Sequence, residues 1–135
     1  MFGKGIYFAD VSSKSANYCH ASKENPKGIL LLCEIALGEI KKVVKAKDFL
    51  KPPEYCTSVM GVGLTAPDPK KEIDFTKYSP SSTNLKFRNG ELVPNPELTE
   101  ISENNESELR FNEYIIYNDS QCRIKYMVEC TFNFK

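Results

Sequence analysis

Gly3-Lys4-Gly5-Ile6-Tyr7-Phe8-Ala9-Asp10, followed by Ser12-Ser13-Lys14-Ser15-Ala16-Asn17-Tyr18, restricts what this chain can build more than any other stretch. From Gly5 to Ala9 the residues alternate as a strand requires, with Ile6 and Phe8 on one face and Gly5, Tyr7 and Ala9 on the other. A tyrosine with the two smallest residues at i−2 and i+2 has open space on both sides of its ring, which suits a flat ligand; a tyrosine packed in a core is the competing reading. Residues 10–13 offer good helix N-caps and residues 14–21 hold no helix breaker, so a short helix is expected after the strand. Ser15 and Tyr18 stand at i and i+3, with Cys19 at i+4, which places a hydroxyl, a ring and a thiol on one helical face. Strand, turn and helix together predict one wall of a ligand pocket.

A chain of 135 residues fits one domain, and at that length roughly two-thirds of the unfolded surface is buried on folding. Lys plus Arg and Asp plus Glu both number 18, which excludes bulk charge as a reason to bind nucleic acid or an anionic membrane. The charge is uneven: residues 41–51 carry five Lys, and residues 89–108 carry six Glu without Lys or Arg, both read as solvated surface. Cys19, Cys33, Cys56, Cys122 and Cys130 are odd in number and contain no C-x-x-C pair, so free thiols in a reducing compartment are expected, with no metal site. No apolar run approaches the ~20 residues that span a bilayer, and Met1 leads directly into glycines instead of a signal peptide, so an intracellular protein is expected. Because the sequence starts inside a motif, it is expected to be a piece of a longer protein.

Residues 24–28, Glu-Asn-Pro-Lys-Gly, make a turn. Residues 29–37 are apolar apart from Glu34 and lie between Gly28 and Gly38, which predicts a strand buried on both faces, extended through residues 40–44. Lys51-Pro52-Pro53 forces an irregular path, and residues 57–70 read as loop. Gly61-Val62-Gly63 lacks the third glycine of a dinucleotide fingerprint and Gly3-Lys4-Gly5 lacks the spacing of a phosphate loop. Residues 79–110 are polar and too long for a simple connector, either a functional loop or a locally disordered one. Phe111-Asn112-Glu113-Tyr114-Ile115-Ile116-Tyr117 predicts a strand. In the final run Ile124, Tyr126, Val128, Cys130, Phe132 and Phe134 alternate with more polar partners, which predicts a strand with one buried face. Glu113 stands out, because an ionised carboxylate inside an aromatic, β-branched strand is costly unless it is solvated at an edge or has a task.

Taken together, the opening block, Leu37-Gly38, Gly63-x-x-x-Pro67-Asp68-Pro69, Asn112-Glu113-Tyr114-Ile115-x-Tyr117 and Phe132-Asn133-Phe134-Lys135 resemble the poly(ADP-ribose) polymerase catalytic domain in order and approximate spacing. The resemblance covers nearly the whole chain, and its specific parts are the first block and the one around Glu113. It implies an α+β fold, with mostly antiparallel strands forming part of the ADP-ribosyltransferase two-sheet fold and a short helix after the first strand. Residues 1–135 would be the C-terminal portion of that domain, with the N-terminal part absent.

The implied activity is transfer of ADP-ribose from NAD+ to protein acceptors with release of nicotinamide. NAD+ is then a consumed substrate, no cofactor or metal is needed, and DNA would be met only through modules outside this chain, in a nuclear setting and away from membranes. Within the family's His-Tyr-Glu set, the resemblance makes Tyr7 the triad tyrosine and Glu113 the catalytic glutamate, with Lys14 beside it. Tyr18 would face Tyr7 across the nicotinamide ring, Ser15 would meet the carboxamide, and Gly5 and Ala9 would line the same NAD+ site. Two departures are visible. The triad histidine should lie on a strand tens of residues before Gly3, and His20 reads as a surface or packing residue. Phe111 stands where chain-elongating relatives carry a tyrosine, and it also argues against the toxin-like Arg-Ser-Glu class, which places Glu or Gln two residues before the catalytic one. The alternative to an enzyme is a non-catalytic pseudoenzyme or a truncated interaction module.

Overall fold

A computed structural model describes residues 1–68, 70, 73–74, 92–93, 98–100 and 106–134. In chain order these contain β1 (Ile6–Phe8), α1 (Ser12–Ala16), a 3-10 turn (Asn17–Cys19), β2 (Lys27–Ile35), β3 (Ile40–Val43), β4 (Ser58–Gly61), β5 (Thr65–Pro67), β6 (Ile73–Asp74), β7 (Leu92–Val93), β8 (Leu98–Glu100), β9 (Glu113–Ile116), a second 3-10 turn (Asp119–Gln121) and β10 (Cys122–Thr131). The α+β class holds, and β3–β4 is the parallel exception among otherwise antiparallel pairs of described strands.

The core forms where β-branched residues meet. Strand β9 runs inside a sheet of order β1-β9-β4-β3. Its Ile115 and Ile116 project to opposite faces and both are fully buried, so each face of the sheet is covered there. Phe2, Val59, Leu109 and Ile115 make the central cluster, with Val43, Phe49 and Tyr117 packed against it. Gly61 is glycine for a packing reason: a Cβ there would lie 2.5 Å from the Phe2 ring.

Several expectations need correction. The helix is shorter than residues 14–21 allow, because α1 gives way to the 3-10 turn and His20 adopts φ +50, a left-handed conformation that ends it. Its N-cap is Val11, which supplies no side-chain cap. Among the described strands β2 pairs with β10 alone, and it is not buried on both faces, since Ile29 and Leu31 are exposed. Nor does β3 extend it: Gly38 turns the chain at φ +57 and delivers β3 to the other sheet.

Residues 57–70 are not a loop but carry β4 and β5, because Ser58 to Gly61 fill the gap between β3 and β9. Within residues 79–110, β7 pairs with β6 and β8 with β5; residues 79–91, 94–97 and 101–105 lie outside the described residues. In β10 the pairing slips between Ile124 and Tyr126, leaving Lys125 as the extra residue of a bulge. The slip moves Ile124 to the face opposite Tyr126 and Val128, and Ile124 and Val128 are both exposed where the alternation promised one buried face.

Candidate active site

The register of β9 with its neighbours builds the site. Tyr7 lies opposite Ile115 and Gly61 opposite Glu113, and Ala9 directly follows the end of β1. Opposed residues project to the same side, so Tyr7 and Glu113 share a face as diagonal neighbours about 7 Å apart. The alternation that put Gly5, Tyr7 and Ala9 on one face therefore brings that face to Glu113.

Glu113 is not solvated at an edge. Its Oε1 lies 2.8 Å from Lys14 Nζ, and the two side chains are only 14% and 15% exposed. Lys14 also donates to the Phe111 carbonyl at 3.0 Å, which ties α1 to the chain entering β9. Lys27 and Glu129 make a comparable contact at 3.0 Å with 63% exposure on each side, where water and salt screen it. In the enclosed pair the ammonium offsets the cost of taking the carboxylate out of water.

Tyr7 is 41% exposed while its hydroxyl is engaged, donating to the Gly3 carbonyl at 2.6 Å and accepting from the Phe2 amide at 3.3 Å. The ring is thus anchored by its tip with part of its surface open. Tyr18 is 73% exposed at the 3-10 turn, and Ser15 is half-buried on α1. Gly5 has another reason than ligand space: a Cβ would lie 2.5 Å from Ile115 Cγ2 and 2.7 Å from the Ile116 carbonyl, so close strand packing requires it.

A hydrogen-bonded cluster sits across β9 from Glu113. Asp10 Oδ2 accepts from Asn112 Nδ2 at 2.8 Å and from the Tyr114 hydroxyl at 2.9 Å, while Asn112 Oδ1 accepts from the Gly63 amide at 2.9 Å. Sequence reasoning assigned Asp10 to helix capping and missed this set; the available signal was the polar pair Asn112 and Tyr114 flanking Glu113. Burial, then the charge of Asp10, push the Tyr114 phenol well above its ordinary value. The folded state therefore holds this proton more tightly than the unfolded chain. The associated stability is complete below about pH 10 and is lost as pH climbs above that. Tyr114→Phe is expected to flatten the fall of the thermal midpoint above about pH 10 relative to the parent; parallel profiles would assign that fall to other groups.

The remaining chemistry-bearing groups lie elsewhere. A cavity of about 530 Å³ is lined by Ser13, Asn17, His20, Leu30 and Phe132 among others, and contains none of Tyr7, Ser15, Tyr18 or Glu113. His20 is exposed on that side, away from Glu113's partners. All five cysteines are free thiols, and burial together with neighbouring Cys122 pushes the Cys33 thiol up to about 11. Among the described residues no group of three or more His, Cys, Asp or Glu is placed to hold a metal, and no helix is long and apolar enough to cross a membrane.

A family model of the poly(ADP-ribose) polymerase catalytic domain matches residues 1–132. Over the whole chain, the sequence is 44% identical to Poly [ADP-ribose] polymerase 1 of Gallus gallus and 40% identical to that of Danio rerio, of each of which it covers 12%. It is 41% identical to Poly [ADP-ribose] polymerase 2 of Arabidopsis thaliana, covering 19% of that protein. The chain thus spans less than a fifth of the length of these curated relatives. With Glu113 and Tyr7 on one face of the sheet and a match from end to end, the chain belongs to the poly(ADP-ribose) polymerase catalytic domain family.

Proposed function

We propose that this chain supplies the catalytic glutamate and the nicotinamide-facing wall of an enzyme that transfers ADP-ribose from NAD+ to protein acceptors. The observation that carries this reading is Glu113, enclosed beside Lys14 on the face of β9 that it shares with Tyr7. The bond to be broken joins ribose C1 to the nicotinamide nitrogen. Its electron pair leaves with nicotinamide, which becomes neutral, and positive charge grows on the ribose as in glycoside cleavage. A fixed carboxylate next to that carbon stabilises the charge. Glu113 can also accept a hydrogen bond from a ribose hydroxyl and orient the acceptor oxygen that bonds to C1.

The open part of the Tyr7 ring and the exposed Tyr18 offer aromatic faces to a flat cationic pyridinium. Ser15 Oγ would donate to the carboxamide oxygen, Ala9 would keep the strand beside the ring free of bulk, and Gly5 seats β1 closely against β9. Lys14 holds Glu113 in place. NAD+ is consumed as a substrate, no resident cofactor or metal takes part, and a nuclear, DNA-linked setting would depend on parts of the protein other than this chain. Phe111 places no hydroxyl two residues before Glu113, which favours short products over efficient elongation.

One observation favours the non-catalytic alternative: His20 is exposed on the cavity side, which Glu113 and Lys14 do not line. The isolated 135-residue chain is accordingly expected to transfer weakly. Incubation with NAD+ labelled in the adenylate portion tests both readings. Protein-bound label and released nicotinamide from the whole protein in which the chain occurs support the enzyme; their absence there would leave the interaction module.

A further inference from the structure

The opening motif contains a residue whose local behaviour makes no sense as helix chemistry. Asp10 lies one residue before the N-cap Val11 of α1, close enough to the first turn that a carboxylate there favours the free amides and the positive end of the helix. Instead Val11 occupies the cap position without any side-chain bond, and the Asp10 carboxylate turns to Asn112 and Tyr114. The carboxylate faces away from the first turn, and one of its oxygens, Oδ1, is buried without a partner. A buried oxygen without a partner costs stability, and a cost without local compensation marks a position used for something else.

What Asp10 gains is a grip on both sides of Glu113. Residues 112 and 114 flank Glu113 and donate to the same Oδ2 atom, at 2.8 and 2.9 Å, so the backbone on either side of the glutamate is pinned to one point. Asn112 passes the constraint to β4's end through the Gly63 amide at 2.9 Å. Asp10 itself leads into the helix that carries Lys14, whose ammonium meets Glu113 from the other side. We infer that Asp10, with Asn112 and Tyr114, is a positioning clamp that fixes the rotation of β9 and so aims the Glu113 carboxylate at the reacting ribose. The inference rests on the transferase reading given above. None of the three residues needs to touch NAD+; each acts through Glu113. Burial fits this role, because charge-assisted bonds to a carboxylate are short and strong when water is kept away.

The test compares Asp10→Asn, Tyr114→Phe, their double variant and Glu113→Gln in the whole protein, reading kcat and KM for NAD+ together with the thermal midpoint. Asp10→Asn keeps the shape and removes the charge, and a misaimed carboxylate is expected to lower kcat about 10-fold with KM changed less than about 2-fold. Tyr114→Phe removes a single hydroxyl and should lower kcat in the same direction, and the double variant should be no worse than the poorer single because both act through one contact. If Asp10→Asn fails to fold, Tyr114→Phe alone decides by the same split between kcat and KM. Full kcat in the folded clamp variants beside an inactive Glu113→Gln overturns the clamp and leaves the transferase reading intact. Full activity in Glu113→Gln overturns that reading, and the clamp with it.

Discussion

Glu113→Gln is expected to reduce nicotinamide release and protein labelling from NAD+ by about 10²- to 10³-fold, the scale of removing one preorganised electrostatic group from an active site. Glutamine preserves size and most hydrogen bonding, so what disappears is the negative charge that meets the developing ribose cation. The substitution also leaves the Lys14 ammonium, 15% exposed, without its counter-charge. Removing one member of an enclosed pair costs stability by itself, up to about 3–5 kcal/mol when burial is complete and less here. Lost activity alone would therefore not separate chemistry from damage. The double variant Lys14→Met with Glu113→Gln separates them, because replacing both charges removes the unpaired ion and should recover the thermal midpoint. Activity should stay low in the double variant. If nicotinamide release returned along with the midpoint, Glu113 would be a structural partner of Lys14 and nothing more.

The parts of this site that could be read from sequence are those whose meaning is local. Alternation at residues 5–9 fixes which side chains share a face, and the aromatic, β-branched run from residue 111 to 117 fixes a strand, since both depend on neighbours in the chain. The resemblance then brought Lys14 and Glu113 together, and their 2.8 Å contact gives that pairing a geometry. Asp10 was illegible for the opposite reason. Its partners lie 102 and 104 residues away, and in isolation a carboxylate before a helix reads as a cap. Strand β4 was hidden by its own Gly61 and by the glycine and prolines that follow it, which read as loop although Gly61 is there to admit Phe2. The bulge at Lys125 misled for a third reason: alternation along β10 is sound, but a single extra residue reverses its faces.

Adding a single methyl at Gly63 is expected to disturb both the stability of the chain and the placing of Glu113. A Cβ at Gly63 would stand 2.4 Å from the Phe111 carbonyl carbon, 2.6 Å from its Cα and 2.7 Å from the Asn112 nitrogen. All three are backbone atoms, so no side chain can swing aside and the strand entry itself must move. That strand entry carries the carbonyl that Lys14 grips and leads directly to Glu113. The Gly63 amide also donates to Asn112 Oδ1, so displacement strains the Asp10 cluster from its far end. Gly63→Ala should lower stability by about 1–3 kcal/mol, as overpacking does. A shift of about 1 Å at the carboxylate should lower kcat about 10²-fold in the molecules that remain folded. Circular dichroism melting gives the first quantity, and turnover measured well below the midpoint gives the second. Normal turnover in the folded variant would mean that β9 absorbs the displacement without moving Glu113, and would show that the carboxylate tolerates more freedom than its two-sided attachment implies.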